Sequence, residues 1–466
     1  MLTHNFNIIL NELPKKSYSI VYMQLIMDIL LICPQPKDIL LTSYEERKTS
    51  LFHKIMLRLT LINKNLSLPI LAALTPKKHT VLLQEGTYDD IDFDMNCDIV
   101  GITYTTFDAL CAYKIADEFR RRGKTVVLGG WHASALPEEA KNHADCVVIG
   151  EAEDIWHNLL DDYEKGKLKP FYKQIQLIDP KKIPIPNFNL YKNNVSLGIQ
   201  AARGCSIGCE FCAETNAPLR NVFRPRPVEN VLEELRLKPQ KSISFYDSSL
   251  TTNLNYTKSL FRGIRDLGLN KHFACYGNVN VLARDEELLK LANDAGVIQW
   301  HMGLESVIQE SIDEVGKRSN KVEEYSLAIK KIHDYNMTVF SNFMFGFDND
   351  PKNIGNITYD FVKELDIDIV DAIILTPFPG TPLFNRLEKG GRILTKDWSK
   401  YDSEHVVFEP KNMSPEDLLE NAKTFFKKYY SVTNILKRTL KSIDLGFTLS
   451  TYVAFGNLSM ATKRYV

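Results

Sequence analysis

The sequence predicts an α/β protein with a doubly wound, Rossmann-like parallel sheet, then a partial (β/α)6 barrel, then a helical C-terminal extension. Two long runs of short, β-branched apolar segments alternate with helical patterns, as is typical of parallel strands covered on both faces. Between the runs, residues 166–195 contain four prolines and many lysines, which indicates a linker. We therefore predict domains at residues 27–165, 196–395 and 396–466.

The first run predicts a sheet whose ligands bind at the carboxyl ends of its strands. Residues 1–26 carry no usable pattern, and we interpret them as an extension or as an upstream start before Met27. The apolar segments predict strands at Ile29–Cys33, Thr80–Leu83, Ile99–Thr103, Thr125–Leu128 and Cys146–Ile149. Helical patterns cover Leu51–Leu74, Phe107–Arg122, Pro137–Asn142 and Ala152–Glu164.

The second run contains six strand–helix units, which predict a partial barrel with catalytic groups at the C-terminal strand ends. The predicted strands are Leu197–Ala202, Ser242–Tyr246, His272–Tyr276, Ile298–Met302, Val339–Phe345 and Ile369–Leu375. The predicted helices are Val228–Leu235, Asn255–Asp266, Asp285–Ala295, Val307–Val315, Val322–Tyr335 and Pro351–Glu364. In the tail, Ser414 begins a capping-box sequence with proline at the first helical position, so we expect a helix there.

Charge and composition disfavour several classes of protein. The 57 Lys and Arg residues balance 58 Asp and Glu residues, and 44% of the chain is apolar, which argues against a disordered chain, a fibre and a generally basic nucleic-acid binder. The eight cysteines suit a reducing cytoplasm, and no apolar stretch is long enough to span a membrane. Residues 411–466 hold nine basic and four acidic residues, which indicates either solvated helices or a peripheral contact with a membrane surface.

The strongest chemical signal is the CxxxCxxC spacing of Cys205, Cys209 and Cys212, directly after the first barrel strand. Thiolates select zinc or an iron–sulfur cluster. Structural zinc takes four ligands, and no fourth cysteine or histidine lies nearby in the sequence. Three cysteines on a [4Fe–4S] cluster leave one iron open to a substrate or cofactor, and Gly204 and Gly208 let the loop wrap closely. A zinc site and three merely buried cysteines remain as alternatives.

This segment resembles the radical S-adenosylmethionine (radical SAM) enzymes, whose motif has an aromatic residue before the last cysteine. The resemblance covers about residues 196–395. It implies that the open iron binds S-adenosylmethionine (SAM), that one electron cleaves the C5′–S bond, and that the 5′-deoxyadenosyl radical abstracts a hydrogen atom from a substrate. The three cysteines would be the catalytic metal ligands. The implied SAM-binding residues are Phe211, Asp247, Ser248, Glu305, Arg318 (with Lys317 beside it), Gly346, Pro379 and Gly380.

The segment Arg224-Pro225-Arg226-Pro227-Val228-Glu229 resembles the radical SAM subgroup with an N-terminal cobalamin-binding-type domain. The resemblance implies cobalamin contacts at the strand ends of residues 27–165, namely Gly101, Thr103, Thr105, Gly129, Gly130 and Gly150. Many cobalamin proteins carry Asp-x-His-x-x-Gly after the first strand, whereas this chain has Cys33-Pro34-Gln35-Pro36-Lys37-Asp38. No histidine of this loop is therefore a cobalt ligand. His132 is the nearest alternative, and a structural role fits it better.

The resemblance implies a radical SAM enzyme with a small-molecule or lipid-like substrate. Cobalamin-dependent methyl transfer and cobalamin-free oxidation, cyclisation or carbon–carbon bond formation are both open. An RNA-modifying methylthiotransferase is a more distant alternative, because the other cysteines are spread out and nucleic-acid binding is not expected. An iron–sulfur electron carrier fits less well, since such proteins usually have four thiolate ligands. A reductant such as flavodoxin or ferredoxin is the implied partner.

Overall fold

The N-terminal domain is built on a six-stranded, all-parallel sheet. The computed structural model describes residues 26–35, 65–191 and 198–461. The strand order is β2-β1-β3-β4-β5-β6, so the connection reverses between β1 and β3. This switch point is where open α/β sheets bind ligands. The strands are β1 (Asp28–Pro34), β2 (Thr80–Gly86), β3 (Ile99–Thr103), β4 (Thr125–Gly129), β5 (Cys146–Ile149) and β6 (Phe171–Lys173).

Helices cover both faces of this sheet, as a doubly wound fold requires. On one face, residues of α2 pack with alternate side chains of β3 and β4. On the other face, α1 and α5 pack against the opposite side of the same strands. The helices are α1 (Ser67–Leu74), α2 (Ala109–Arg121), α3 (Trp131–Ala135), α4 (Pro137–Asn142) and α5 (Glu153–Glu164). Of the helix predicted at Leu51–Leu74, residues 51–64 lie outside the described residues.

The predicted linker is not free of regular structure. Strand β6 lies inside it and extends the sheet, pairing in parallel with β5. Tyr172 anchors this strand, because its ring is buried and its hydroxyl donates to Asp162 at 2.7 Å. Further along, Ile178 and Ile183 are buried against Ile70 of α1. This segment therefore packs on the N-terminal domain rather than only bridging two domains.

The second domain contains a five-stranded parallel sheet with the order β13-β12-β11-β10-β9. A short antiparallel pair, β7 and β8, precedes it and brackets the cysteine loop. Residues of the outer strand faces form one apolar core with the surrounding helices. The strands are β7 (Ala202–Arg203), β8 (Arg224–Pro225), β9 (Ser242–Ser244), β10 (His272–Tyr276), β11 (Val297–Glu305), β12 (Thr338–Phe345) and β13 (Ile369–Ile374).

The first predicted barrel strand, Leu197–Ala202, is reduced to a single parallel bridge between Ile199 and Phe245. The cause is local. The buried carboxylate of Asp247 accepts hydrogen bonds from the backbone N–H groups of Ala201 and Ala202, which therefore do not continue the sheet. Leu197 itself lies outside the described residues.

The barrel helices agree with the predicted ones within a few residues. The largest difference is at the N-termini, where a 3-10 turn at Val322–Glu324 precedes one helix and a turn at Lys352 and Asn353 precedes another. The helices are α6 (Ala213–Asn216), α7 (Val228–Leu237), α8 (Leu254–Asp266), α9 (Val279–Leu282), α10 (Glu286–Asp294), α11 (Gln309–Glu314), α12 (Tyr325–Asp334) and α13 (Ile354–Glu364).

The C-terminal part contains α14 (Pro382–Lys389), α15 (Pro415–Tyr429), α16 (Val432–Lys441) and α17 (Phe447–Met460). The predicted capping box is confirmed, since Ser414 and Asp417 exchange side-chain-to-backbone hydrogen bonds at the start of α15. Residues 396–413, the first part of the predicted helical extension, form loops and a 3-10 turn at Trp398–Lys400 rather than an α-helix. Their Trp398 packs into the N-terminal core and donates to Glu139 at 2.8 Å. Within the described part of the chain, no helix combines the length and apolar character that crossing a membrane needs.

Candidate functional site

The three motif cysteines lie on one loop that begins at β7. Cys205 and Cys209 are buried, Cys212 is half-buried, and all three are free thiols. Side chains hold the loop by its carbonyl groups: Thr215 donates to Cys205 at 2.7 Å, and Asn216 donates to Cys209 and Cys212 at 3.0 and 2.8 Å. The loop is therefore shaped by the protein itself.

Gly204 is required by the path of this loop. Its φ is +79°, and a Cβ placed on it would overlap the carbonyl oxygens of Arg220 and Val222. The N–H of Cys205 donates to that same Arg220 carbonyl at 2.9 Å. The predicted close wrapping at Gly204 is thus confirmed, and it brings the entry and the exit of the loop together.

Burial controls the electrostatics of the thiols. It raises the pKa of all three, that of Cys209 to about 12, while the ammonium group of Lys317 opposes this rise at Cys205 and Cys209. The neighbouring thiols add to this rise, since Cys212 and Cys205 raise the pKa of Cys209 and Cys205 raises that of Cys212. Thiols in such a place stay protonated until a metal displaces the proton.

The donor set fits an iron–sulfur cluster. Soft thiolates are the ligands that such clusters take, and Cys205, Cys209 and Cys212 lie on one loop with free, buried or half-buried thiols. The residues present therefore fit a [4Fe–4S] cluster held by these three cysteines.

Glu305 and Lys317 form an ion pair beside the cysteine loop. Glu305 ends β11 with a φ of +67° and is buried, and Lys317 donates to its carboxylate. Burial alone would lower the pKa of Lys317, but Glu305 and Cys209 raise it, so the ammonium stays charged. A Cβ on Gly303 would overlap both side chains, so this glycine makes room for the pair.

The structure separates Lys317 from its neighbour in the chain. Arg318 is exposed, whereas Lys317 is the cation that faces Glu305 and the thiols. Sequence reasoning put the two side by side as one clamp and chose Arg318. The role assigned to Arg318 thus stays a prediction, and Lys317 is the better placed residue.

Asp247 is fully buried and acts on the backbone. Its carboxylate accepts from Ala201 and Ala202, just before the cysteine loop. Burial raises its pKa to about 7, although these two hydrogen bonds oppose the rise. Ser248, in contrast, is exposed. The observed contacts make Asp247 a support of the loop, and SAM contacts of Asp247 and Ser248 stay predictions.

The other predicted SAM-binding residues pack against neighbouring segments. Phe211 is half-buried against the barrel core. A Cβ on Gly346 would press on Leu418 and Phe408 of the tail, and one on Gly380 would lie 3.1 Å from Ala135 of the N-terminal domain. Pro379 is buried beside it. Their contacts with SAM stay predictions.

A cavity of about 490 Å³ lies between the two domains, at the carboxyl ends of the N-terminal strands. It contains the complete set of predicted cobalamin contacts: Gly101, Thr103, Thr105, Gly129, Gly130 and Gly150. The opposite wall comes from the second domain, with Gln200, Arg203, Glu214, Arg220 and Tyr246. The cavity is therefore bordered on one side by the sheet and on the other by residues that flank the cysteine loop.

Small residues make the floor of this cavity. Gly130 has a φ of +103°, and a Cβ there would meet the carbonyl oxygen of Tyr104 at 2.6 Å. Any side chain at this position would therefore strain the backbone. The hydroxyl of Thr105 donates to Asp108 at 2.6 Å, which leaves its oxygen able to accept a hydrogen bond from a ligand.

His132 is a structural residue. Its side chain is completely buried, with Nδ1 3.2 Å from the Thr106 hydroxyl and Nε2 3.2 Å from Glu139. Its ring also packs against Trp398. No histidine occurs among the described residues that line the cavity. That cobalt takes no histidine ligand from the loop after β1 stays a prediction.

An interdomain cluster of charges joins the cavity to the cysteine loop. Glu151, directly after the predicted contact Gly150, accepts from Arg224 at 2.7 and 2.8 Å and from Arg220, and it lies 3.5 Å from Arg203. Burial alone would raise the pKa of Glu151, but the hydrogen bond from Arg224 and the charges of the other two arginines lower it to about 2.

This charge cluster was missed from the sequence. The arginines lie on the two arms of the cysteine loop, and Arg220 and Arg203 also pair with Glu214 and Glu153. One carboxylate of the N-terminal domain thereby holds both arms of the loop.

The inner face of the barrel carries aromatic and polar groups. The ring of His301 stacks on Phe340 at 4.7 Å and tilts against Tyr276 at 4.8 Å. Burial lowers the pKa of His301 to about 4, so the ring is neutral, and Nε2 lies 2.7 Å from Gln299. These residues alternate with the apolar outer positions of the same strands, and that alternation was the available signal.

Comparison with known proteins agrees with this geometry. Residues 199–357 match the model of the Radical SAM superfamily, residues 90–160 match the B12 binding domain, and residues 381–452 match a domain of unknown function (DUF4070). The chain is 32% identical over 393 residues to bacteriochlorophyllide d C-12(1)-methyltransferase of Chlorobaculum tepidum, spanning 81% of this chain and 85% of that protein. The chain belongs to the radical SAM superfamily, among its members with a B12-binding domain.

A second relative and a solved structure extend the likeness. Bacteriochlorophyllide d C-8(2)-methyltransferase of the same organism is 33% identical over 410 residues, covering 84% of this chain and 91% of that protein. The methyltransferase TsrM from Kitasatospora setae, solved with cobalamin and a [4Fe–4S] cluster, has a TM-score of 0.68 at 14% identity, covering 94% of this chain and 99% of that one. The latter likeness concerns the fold.

These findings confirm the predicted fold class and the predicted class of enzyme. They also confirm the [4Fe–4S] cluster and SAM as cofactors, and the cobalamin-binding-type domain. Radical SAM enzymes need a reductant and a substrate, so this radical SAM enzyme needs both.

Proposed function

We propose that this radical SAM enzyme is a cobalamin-dependent methyltransferase that methylates an unactivated carbon of a small-molecule or lipid-like substrate. The observation that carries the proposal is the interdomain cavity, because its floor is made by the predicted cobalamin contacts and its roof by the arms of the cysteine loop. The names of the two relatives, both carbon-directed methyltransferases, support it. When bound, the cluster supplies the electron that cleaves SAM, and cobalamin carries a methyl group.

The residues around the cysteine loop have complementary roles in this proposal. The three thiolates hold the cluster, and Asp247 fixes the backbone on which the loop starts. The ion pair of Glu305 and Lys317 suits SAM. The carboxylate of Glu305 attracts the ammonium group of SAM, and the ammonium of Lys317 attracts the carboxylate of SAM. Little of either side chain is exposed, which keeps water from weakening these charges.

The inner face of the barrel supports a flat or apolar substrate. Tyr276, His301 and Phe340 offer adjacent ring faces, and the neutral state of His301 avoids a buried charge against such a molecule. Ring faces stack on planar ligands in offset or tilted geometry. This favours a conjugated or lipid-like substrate over RNA.

We further infer the setting of the enzyme. None of the cysteines among the described residues forms a disulfide, which supports a reducing compartment, the cytoplasm. Flavodoxin or ferredoxin is the proposed electron donor. The basic C-terminal tail is proposed to contact a membrane surface.

Isotope transfer tests the proposed reaction. The protein is reconstituted anaerobically with iron, sulfide and hydroxocobalamin, and is given a reductant, SAM with a deuterated methyl group, and a bacteriochlorophyllide or a lipid extract. Mass spectrometry is expected to find a product carrying the deuterated methyl group. Cleavage of SAM to 5′-deoxyadenosine with an oxidised or cyclised, unlabelled product would instead support the cobalamin-free reaction.

A further inference from the structure

Helix α16 carries a row of large apolar side chains that face away from the rest of the described structure. Val432, Leu436, Leu440 and the following Ile443 are 74%, 56%, 64% and 57% exposed. Spacings of four, four and three residues place them along one side of a helix. We call these four residues the apolar stripe. Contiguous apolar surface of this kind marks a site of interaction.

The opposite side of α16 fixes the direction of the stripe. Ile435 packs against the barrel core. The guanidinium of Arg438 donates to Asn457 at 2.6 and 3.0 Å and lies 3.9 Å from the ring centre of Tyr429. The helix is therefore attached through one side, and the stripe stays on the surface.

A basic groove adjoins the stripe. It has a volume of about 680 Å³ and is lined by Tyr359, Glu420, Lys423, Thr424, Lys427, Lys428, Ser431 and Asn434. Three of these residues are lysines and one is acidic. Ser431 and Asn434 flank Val432 in the chain, so the groove reaches the first turn of α16, where the stripe begins.

We propose that the apolar stripe and the basic groove together dock on a membrane surface rich in anionic phospholipid. The charges are complementary: the stripe enters the boundary between headgroups and acyl chains, and the lysines face lipid phosphates. This inference rests on the membrane contact proposed above, and it gives that contact a place and a lipid preference. It also places the enzyme where an apolar substrate partitions.

Vesicle flotation of the full chain tests the inference. We expect binding to vesicles that contain phosphatidylglycerol, little binding to phosphatidylcholine alone, and a loss of binding at high salt. The double substitution Leu436→Ser and Leu440→Ser is expected to weaken partitioning about ten-fold or more. Lys423→Gln and Lys427→Gln are expected to weaken it about five-fold each.

Matched controls lie elsewhere on the surface. Leu327→Ser on α12, at a leucine that is 45% exposed, and Lys290→Gln on α10 should bind like the wild type. Circular dichroism and iron content confirm that each variant is folded. If the variants of the apolar stripe bind vesicles as well as the wild type, the proposed docking surface is wrong, although the membrane contact itself still stands. No binding of the wild type would overturn the membrane contact as well. If the wild type is a dimer that does not bind vesicles, and the leucine variants are monomers, the stripe is a self-association surface instead.

Discussion

Neutralising Glu151 is the perturbation for which the structure makes the sharpest prediction. Glu151→Gln keeps the shape of the side chain but removes the charge that three buried arginines share. Arg220 and Arg203 keep Glu214 and Glu153 as partners. Arg224 has no other carboxylate among its contacts in the described residues, and it is only 6% exposed. The substitution therefore leaves a buried cation without a counter-charge.

Two routes give the size of the effect. Breaking a buried ion pair by removing one partner costs about 3–5 kcal/mol. The pKa of Glu151 falls from an ordinary 4.5 to about 2 on folding, and each unit corresponds to about 1.4 kcal/mol, which gives about 3 kcal/mol. Because the folded-state pKa is the lower one, this stabilisation is present above pH 4.5 and is lost as the pH falls toward 2.

Denaturant unfolding at neutral pH is the assay. Glu151→Gln is expected to lower the free energy of unfolding by about 3 kcal/mol, whereas Glu138→Gln, at an exposed position of the same domain, should change it by less than about 0.5 kcal/mol. We also expect more 5′-deoxyadenosine per methylated product, because the cysteine loop is no longer held against the cavity. Unchanged stability and an unchanged product ratio would refute this account of the charge cluster.

Three further predictions concern the cofactors. Cys209→Ala should abolish both the cluster and SAM cleavage, as should the same change at the other two motif cysteines. The control variant Cys146→Ala should leave the iron content unchanged. SAM cleavage by Cys209→Ala would exclude the assigned cluster ligands. Glu305→Gln should weaken SAM binding by about 1–3 kcal/mol in calorimetry without loss of iron, and an unchanged affinity would make it a structural acid. Bound cobalamin should show a base-off absorption spectrum. Gly130→Val should block cobalamin uptake but spare SAM cleavage. The control Gly123→Val, at a positive φ with open space around it, should leave cobalamin uptake unchanged. Equal uptake by both variants would place cobalamin elsewhere.

The fold was predictable wherever apolar segments were long enough to show a period. Strands β3 and β5 begin and end where the sequence predicts, because buried parallel strands are continuous apolar runs. Strand β6 has only three residues, which is too short for a pattern. The prediction of the first barrel strand was wrong for another reason. The carboxylate of Asp247, 46 residues away from Ala201, accepts a backbone hydrogen bond that the sheet would otherwise use.

The site was predictable where position along a strand decides it. All six predicted cobalamin contacts line one cavity because the carboxyl ends of parallel strands share one edge of a sheet. The contacts of Glu151 with Arg220 and Arg224 join residues 69 and 73 positions apart, so they depend on how the domains pack. The choice between Lys317 and Arg318 depends on which way a turn points each side chain. The sequence carries no signal for that direction.

The central claim is that one enzyme holds cobalamin in the interdomain cavity beside a three-cysteine cluster. Its most direct test is metal analysis of protein reconstituted anaerobically with iron, sulfide and excess hydroxocobalamin, then freed of unbound cofactor. The account predicts about four iron atoms and about one cobalt per chain. Four iron atoms with no retained cobalt, in protein that still cleaves SAM, would contradict it.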